Sequence, residues 1–360
     1  MILRGARLID PNTRTDTKTD LVIRDGKIAD KANAGEAVID LDGCWIAPGF
    51  IDLHSVLRDE SELASAIRGG FTTVVAAPES ASSVKSDQIR VLRAAPLTRG
   101  LEGNELGEVA ATTLCLSQGF KPLNRAGVLR RALQYSNRTL LVLHAEDPSL
   151  TGAGVIGEGL TPTRLGLPSV PVAAESSIIA RDLQILEETG GRLHFAHVTT
   201  ARSVELIRHA KARGLSVSAD VTPHHLTRDT SAAEDYSLTA RVWPPLRSPA
   251  DLAVLKAGLL DGTIDAIACD HVKVDVLDRE HAFEACAPGC EAFEAAVATA
   301  FALELPPARL VEVFASAPAR LLGLAASLAV GSEARLTVLD PRTRSVRGVV
   351  SGRFNTLEKP

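Results

Sequence analysis

Short segments in which hydrophobic and polar residues alternate lie at both ends of the chain. Near the amino terminus they are Ile2–Arg4, Leu21–Arg24 and Ala37–Leu41, and near the carboxyl terminus they are Leu336–Pro341 and Gly348–Gly352. Asp-Pro and Asp-Gly turn signals separate the amino-terminal segments, as in small antiparallel β units. Neither end has enough strands to be stable alone. We therefore predict one small β-domain to which both ends contribute, residues 1–47 plus 329–360.

Between these ends the chain repeats an apolar strand, a loop and an amphipathic helix. The predicted strands are 45–54, 72–77, 140–144, 193–197, 215–221 and 264–270, and the predicted helices are 124–136, 173–189, 201–213, 249–260, 291–304 and 307–315. Nearly unbroken apolar strands are typical of parallel sheets covered on both faces. The order predicts an α/β fold with βα units over residues 48–328. The stretch 78–119 is thin for two complete βα units, so we expect one helix to be missing or shortened there.

The composition is that of an ordinary globular protein. Of the 360 residues 45% are hydrophobic and 23% are charged, which is enough apolar material for a large core. Lysine and arginine number 39 against 44 acidic residues, and the basic residues form no long run, which disfavours nucleic acid and anionic membranes as partners. We find no export signal and no apolar run long enough to cross a bilayer, and we expect a cytoplasmic protein.

The five cysteines do not form a recognisable framework. They lie at positions 44, 115, 269, 286 and 290. An odd, scattered set suits a reducing compartment rather than disulfides. Cys286 and Cys290 are the only close pair, and without a second cysteine or histidine pair at zinc-site spacing we interpret them as buried or loop thiols.

Four predicted strands end in a side chain that can bind a metal ion. These residues are His54, His144, His197 and Asp270. In a parallel barrel such strand ends meet on the carboxyl-terminal face, where active sites of this architecture lie. A single histidine at a strand end is more often a hydrogen-bonded structural residue. Four of them together indicate an ancestral metal centre.

The motifs around these strand ends resemble those of the dihydroorotase family, within the amidohydrolase superfamily. They are Pro-Gly-Phe-Ile-Asp-Leu-His at 48–54, Leu-Arg-Asp at 57–59, His-Ala-Glu-Asp-Pro at 144–148, Ala-His-Val-Thr-Thr at 196–200, Asp-Val-Thr-Pro-His-His-Leu at 220–226, Pro-Pro-Leu-Arg at 244–247 and Asp-Gly-Thr-Ile-Asp-Ala-Ile-Ala-Cys-Asp-His at 261–271. Hydantoinases and allantoinases are the nearest alternatives. The resemblance implies a TIM-type barrel with a flanking β-domain, and reversible cyclisation of N-carbamoyl-aspartate to dihydroorotate.

The resemblance also implies roles for individual residues. In this family one or two zinc ions polarise the substrate and hold a hydroxide, while an aspartate moves a proton. His54, His144, His197 and Asp270 match metal ligands, and Asp270 also matches the acid/base. Arg58 matches the group that binds the substrate carboxylate, although an ion pair with Asp59 is the simpler alternative. His224 and His225 are expected to fix a loop.

Other family positions are changed in this chain. The first motif of the family is His-x-His, and Val56 stands at its second position. A bridging aspartate or carbamylated lysine is replaced by the turn Ser-Gln-Gly-Phe-Lys-Pro at 117–122, in which neither Gln118 nor Gly119 is charged. Glu79 and Trp243 stand where relatives carry asparagine, and Val274 replaces a final histidine. The surviving ligands are therefore expected to hold one zinc ion at most, or none.

These changes leave three hypotheses. The first is an inactive or strongly impaired dihydroorotase-like protein of pyrimidine biosynthesis, which acts in a homo- or hetero-oligomer as a structural partner of aspartate carbamoyltransferase. That partner is implied by resemblance to degenerate members of the family. The second is an active zinc-dependent dihydroorotase or a related cyclic amidohydrolase, and the third is a stand-alone ligand-binding barrel.

Overall fold

The structure is a computed structural model that describes residues 1–108, 113–136 and 139–357. Its amino-terminal part consists of short strands separated by turns. They are β1 Ile2–Arg4, β2 Arg7–Asp10, β3 Thr15–Lys18, β4 Leu21–Arg24, β5 Lys27–Ala29, β6 Val38–Asp40 and β7 Trp45–Pro48. The four strands β5-β4-β1-β6 form one sheet, while β2, β3 and β7 belong to a second sheet.

Eleven further strands follow in the central part of the chain. They are β8 Phe50–Ser55, β9 Phe71–Ala76, β10 Arg90–Arg93, β11 Ala95–Pro96, β12 Cys115–Ser117, β13 Leu140–Leu143, β14 Ile156–Gly157, β15 Ser169–Val170, β16 Arg192–Phe195, β17 Val217–Val221 and β18 Ala266–Ile267. β14 pairs only with β15 among the described strands. The other strands pair in parallel, in the orders β10-β9-β8 and β11-β12-β13-β16-β17-β18.

These two parallel sheets join into a closed barrel. Only Ala94 separates β10 from β11, so the segment 90–96 acts as one strand that pairs with β9 on one side and with β12 on the other. At the opposite seam Val56 forms a parallel bridge with Val272, and the Asp270 N–H donates to the His54 carbonyl at 3.2 Å. Eight strand positions therefore surround the axis, which confirms the predicted TIM-type barrel.

Helices cover most of the outside of the barrel. They are α1 Ser61–Arg68, α2 Ala126–Tyr135, α3 Pro148–Thr151, α4 Leu160–Leu165, α5 Ala173–Thr189, α6 Ala201–Ala212, α7 Pro223–Thr227, α8 Pro249–Asp261, α9 Val276–Arg279, α10 Phe293–Ala302, α11 Pro307–Val311 and α12 Ala317–Leu322. A π-helical turn at 312–316 joins α11 to α12. No described helix is long and apolar enough to cross a membrane.

The barrel is trimmed after its second and third strands. Residues 77–89, all of which are described, contain no helix, and the described residues between β11 and β12 contain only a 3-10 turn at 99–101. Residues 109–112 of this stretch lie outside the described part. A groove of about 840 Å³, lined in part by Leu63, Val84 and Val91, lies beside α1 and β10. The expected loss of a helix is therefore confirmed for residues 77–89, and the described residues between β11 and β12 also contain no α-helix.

The carboxyl-terminal strands complete the second sheet of the β-domain. They are β19 Arg335–Asp340, β20 Ser345–Ser351 and β21 Phe354–Asn355, in a sheet of order β21-β20-β19-β7-β2-β3. β19 pairs antiparallel with β7, from Leu336 opposite Pro48 to Leu339 opposite Trp45. Both ends of the chain thus build one β-domain, as predicted. The division of the chain at 47/48 and 328/329 remains a prediction, and residues 358–360 lie outside the described part.

One predicted strand is wrong. The apolar run 45–54 is split at Gly49 into β7 of the β-domain and β8 of the barrel. A Cβ on residue 49 would overlap the Thr72 side chain, and the Gly49 N–H donates to the Arg335 carbonyl at 2.7 Å. Glycine therefore allows the chain to cross from one sheet to the other at a crowded point. The hydrophobic pattern does not reveal this crossing because both strands are buried.

Candidate functional site

The four candidate ligands lie together at the carboxyl-terminal face of the barrel. His54 is in β8, and His144, His197 and Asp270 follow β13, β16 and β18 by one to three residues. All four are buried, with exposures of 6%, 3%, 0% and 2%. This is the face on which barrel enzymes place their chemistry.

Three of these residues form a compact group. One ligand atom each of His54, His197 and Asp270 lies within 4.8 Å of the others. Asp270 Oδ1 is 3.4 Å from His54 Nε2, and Asp270 Oδ2 is 3.6 Å from His197 Nδ1. His197 and Asp270 both have a left-handed backbone, with φ of 42° and 51°. Such backbone strain in non-glycine residues is concentrated at functional sites.

The structure places His144 outside this group. Its Nε2 donates to Glu146 Oε2 at 2.6 Å, and the Trp243 indole N–H donates to the same oxygen at 3.1 Å. Its ring stacks on the His197 ring with centroids 4.9 Å apart. Burial, the largest single effect, would raise the pKa of Glu146, but the hydrogen bond and electrostatic attraction of His144, together with Thr151 and Trp243, outweigh it and lower that pKa. Glu146 is therefore an anionic neighbour that our sequence analysis missed, although it lies two residues after His144.

Burial controls the charge of the group. Removal from water lowers the pKa of His54 to about 4 and lowers that of His197 well below its usual value. Burial also raises the pKa of Asp270 well above its usual range, and the nearby Asp220, Asp52 and Glu79 add to this effect. At neutral pH both imidazoles are uncharged and keep a lone pair for a metal ion. Because carboxylate ligands bind metal ions in their deprotonated form, a cation would compete with protons for Asp270.

Unsatisfied buried atoms show that the group fits a cation. Within the described residues, His54 Nδ1, both ring nitrogens of His197 and Asp270 Oδ1 have no hydrogen-bond partner. Native proteins satisfy most buried polar atoms, so an unmet set at one point calls for a ligand. Imidazole nitrogen and carboxylate oxygen are ligands that zinc accepts, and three protein ligands suffice for a catalytic ion. The three residues therefore fit one zinc ion.

A second ion would find few ligands. Val56, at the second position of the first motif, presents a hydrocarbon side chain to the mouth of the barrel. The Gln118 side chain points to Thr98, whose hydroxyl donates to Gln118 Oε1 at 2.9 Å. Gly119 carries no side chain. The Phe120 ring packs against His54 and His197, with centroids 5.0 and 5.7 Å away.

Arg58 lies at the rim of a mouth cavity rather than deep inside it. The cavity of about 340 Å³ is lined by residues that include Val56, Arg58, Phe120, His224, Trp243 and Cys290. The Arg58 side chain is 49% exposed and lies 3.9 Å from Asp275, not beside Asp59. At this distance and exposure the ion pair is weak. Arg58 is therefore free to bind an anion at the entrance.

Two buried carboxylates hold the strand ends in place. Asp220 accepts hydrogen bonds from His194 Nε2 at 2.8 Å and from the His197 N–H at 2.7 Å. Asp52 accepts from the Cys269 N–H at 2.6 Å and from Ser55 at 2.6 Å. These contacts fix the backbone beside two members of the group, as outer-shell partners do in metal sites. Sequence analysis missed both.

The two histidines after β17 differ in role. His225 Nδ1 accepts from Thr222 at 2.7 Å and its Nε2 donates to the Pro244 carbonyl at 2.9 Å, so it fixes the loop as expected. His224 is also buried, lines the mouth cavity and has neither ring nitrogen paired among the described residues. Burial lowers its pKa well below the usual value.

Comparison with known proteins identifies the family. Residues 43–203 match the family described as Dihydro-orotase-like. The chain is 38% identical to a dihydroorotase of Anaeromyxobacter dehalogenans over 94% of this chain and 88% of that protein. The chain belongs to the dihydroorotase family. A dihydroorotase of Desulfotalea psychrophila is 36% identical over 100% of this chain and 94% of that protein. The first of these alignments runs over 381 positions. Because this dihydroorotase-like chain has only 360 residues, the alignment must contain gaps in it. The chain therefore lacks residues that its relative has, as expected of a trimmed barrel.

Solved structures of other proteins share the fold. A dihydropyrimidinase from Brevibacillus agri aligns with a TM-score of 0.82 and 18% identity over 98% of this chain and 94% of that one. An L-hydantoinase from Arthrobacter aurescens aligns with a TM-score of 0.79 and 24% identity over 93% and 86%. At these identities the likeness concerns architecture alone, and it agrees with the barrel and flanking β-domain described above.

Proposed function

We propose that this dihydroorotase-like protein works in pyrimidine biosynthesis as a structural partner of aspartate carbamoyltransferase, with its own turnover lost or strongly impaired. The family membership supports a place in that pathway. The kind of partner rests on the resemblance to degenerate members of the family, whose damaged first motif this chain shares.

The incomplete set of metal ligands carries the proposed loss of turnover. Val56 stands where a second imidazole is expected, residue 119 has no carboxylate, and the Phe120 ring covers His54 and His197. Loss of a single outer-shell partner typically weakens a metal site by about 10- to 100-fold. Loss of two direct ligands should cost more.

The remaining residues define what a bound zinc ion would meet. His54, His197 and Asp270 would hold it, and the ion would supply a Lewis acid and a source of hydroxide. Burial raises the pKa of the Asp270 carboxyl well above its usual range, which favours its protonated form. Arg58 at the rim can bind a substrate carboxylate through a charge-assisted hydrogen bond. His144, bonded to Glu146, supports the wall of the site.

Reconstitution with the aspartate carbamoyltransferase of the same organism tests the partnership. We expect the two proteins to elute together, and the transferase to lose assembly or activity when this chain is left out. A transferase that is equally stable and active alone would remove the proposal. His197→Ala is the matched control, because His197 is fully buried and its loss damages the metal-capable group without changing the surface. This variant should still assemble.

A second function has specific support. The His54, His197 and Asp270 group with its unpaired atoms is compatible with a mononuclear zinc-dependent dihydroorotase or a related cyclic amidohydrolase. That function requires stoichiometric zinc in the purified protein and turnover that a chelator abolishes. This second function does not require co-elution with the transferase.

A further inference from the structure

Phe120 occupies a special place at the mouth of the barrel. Its half-buried ring lines the mouth cavity on one side and meets the rings of His54 and His197 edge-on on the other, at 63° and 69°. Of His54, His197 and Asp270, only Asp270 lines that cavity. The two imidazoles are 6% and 0% exposed. The ring therefore lies between the cavity and the imidazoles.

A carboxylate from a different strand end holds this ring in position. The Phe120 N–H donates to Glu79 Oε1 at 2.8 Å. Glu79 follows β9, whereas Phe120 follows β12, so the bond joins two loops of the barrel face. A backbone hydrogen bond to a charged acceptor is stronger than one to a neutral group. It fixes the turn that carries the ring.

Gly119 makes this arrangement possible. Its φ is +65°, and a Cβ built on it would overlap the Glu79 carboxylate. A side chain at position 119 and Glu79 in its present position therefore exclude each other.

We propose that Phe120 is a plug that closes the His54 and His197 imidazoles to molecules in the mouth cavity, and that Glu79 is the positioning residue that keeps the plug in place. This inference rests on the proposed function, because shielding of the imidazoles is a second cause of weak turnover beside the missing ligands. It adds that the surviving ligands are shielded as well as incomplete. Metal ions, water and organic molecules reach the imidazoles only when the turn 117–120 opens.

Chemical labelling of the metal-free protein measures this access. Diethyl pyrocarbonate acylates neutral imidazoles, and mass spectrometry reports the rate at each histidine. His209 and His281 are exposed and give the rate of free access, while buried His194 and His225 report any general unfolding. Because reaching a buried group requires local opening that costs free energy, wild-type His54 should react roughly tenfold or more slowly than His209.

Four variants separate the plug from its support. Phe120→Gly should raise the labelling rates of His54 and His197 by roughly tenfold, because no opening is then required. Phe120→Leu keeps an apolar cover and should stay protected. Glu79→Ala frees the turn and should raise the same two rates, whereas Glu79→Gln keeps an acceptor oxygen for the Phe120 N–H and should not. His194 and His225 should remain protected throughout.

Two results would overturn the plug. One is a wild-type His54 that reacts as fast as His209, and the other is unchanged labelling of His54 and His197 in both Phe120→Gly and Glu79→Ala. If His194 and His225 also react in Phe120→Gly, that variant has unfolded and Glu79→Ala decides. Co-elution with the transferase and turnover are measured separately. A failed plug with intact assembly therefore leaves the proposed function standing, and a failed assembly with protected histidines leaves the plug standing.

Discussion

The imidazole of His144 donates a 2.6 Å hydrogen bond from Nε2 to the carboxylate of Glu146. Trp243 donates to the same carboxylate, so Glu146 is anchored from two sides. One ring nitrogen of His144 is thus engaged outside the group formed by His54, His197 and Asp270. The other ring nitrogen, Nδ1, is buried without a partner among the described residues, so the four candidate ligands divide into three that converge and a fourth, His144, that lies beside them.

This division predicts unequal effects on zinc binding. His197→Ala removes a member of the group and should weaken zinc binding by more than about 100-fold, whereas His144→Ala removes a neighbour and should weaken it by about tenfold or less. Isothermal titration of the metal-free variants with zinc measures both. Equal losses in the two variants would show that His144 is a direct ligand.

A single substitution at the first motif should not restore a second metal ion. Val56→His places an imidazole on the same strand face as His54, because side chains on a strand repeat with a period of two. Residue 119 would still lack a carboxylate and Phe120 would still cover the site. We expect at most one zinc ion per chain by elemental analysis, and no gain in dihydroorotate turnover.

A matched quadruple variant changes the whole neighbourhood. A protein with Val56→His, Glu79→Asn, Gly119→Asp and Phe120→Gly supplies a ligand, removes the competing carboxylate, adds the bridging one and opens the space. It should bind a second zinc ion. A second ion in Val56→His alone would contradict this account of the site.

The buried Glu62 carboxylate ties the last motif to the loop after the first barrel strand. Glu62 Oε2 lies 3.1 Å from His271 Nε2, and Glu62 Oε1 accepts from the Arg58 N–H at 2.7 Å and the Asp59 N–H at 3.2 Å. Glu62→Ala leaves the Arg58 and Asp59 N–H groups without this acceptor and should lower the free energy of unfolding by about 1 to 3 kcal/mol. Urea denaturation measures the loss.

An exposed pair provides the control for that experiment. Arg202 and Glu205 lie 3.0 Å apart on α6, with side chains 59% and 51% exposed. Glu205→Ala should cost less than about 1 kcal/mol, because surface pairs are screened by water and salt. A Glu62→Ala protein as stable as Glu205→Ala would mean that the buried carboxylate does not hold the loop.

The buried histidines predict a stability that falls in acid. Burial lowers the pKa of His225 from 6.5 to about 3. Between these values the unfolded chain binds the proton and the folded chain does not, so the stabilisation is complete above pH 6.5 and is lost as the pH falls. The loss from this residue reaches about 3 kcal/mol by pH 4. The lowered pKa values of His197 and His224 act in the same direction.

Denaturation of the metal-free protein at a series of pH values tests this prediction. Buried Asp52 and Asp182, whose pKa values burial raises to about 6 and about 7, act in the opposite direction, so the contribution of His225 is the difference in slope between wild-type protein and the variant that lacks its ring. His225→Gln lacks the titrating ring and should show a shallower slope, even though losing the bonds to Thr222 and Pro244 lowers its stability at pH 7. Parallel curves for the two proteins would exclude His225 as a source of the acid sensitivity.

Residue patterns were sufficient to predict the face of the barrel on which the site lies. His54, His144, His197 and Asp270 each follow an apolar run, and parallel strands bring such ends together. The β-domain was predictable for a similar reason, because neither end of the chain has enough strands to stand alone. The strand at 90–96 was not predictable, since Arg90, Arg93 and Pro96 interrupt its apolar pattern.

Contacts between distant loops could not be predicted from one sequence. The position of Phe120 depends on the left-handed conformation of Gly119 and on Glu79, which lies 41 residues away along the chain. The Glu146 contact that engages His144 depends on a side-chain rotamer. The spacing of the motifs indicates which residues approach the site, while the turn geometry determines which of them meet.

The central claim is that this barrel keeps a single, shielded metal position and lacks the turnover of its family. The most direct test is the rate of dihydroorotate hydrolysis by zinc-saturated protein of measured metal content, assayed beside the dihydroorotase of Anaeromyxobacter dehalogenans. We predict at most one zinc ion per chain and turnover far below that of the comparison enzyme. Two bound zinc ions with comparable turnover would contradict the account.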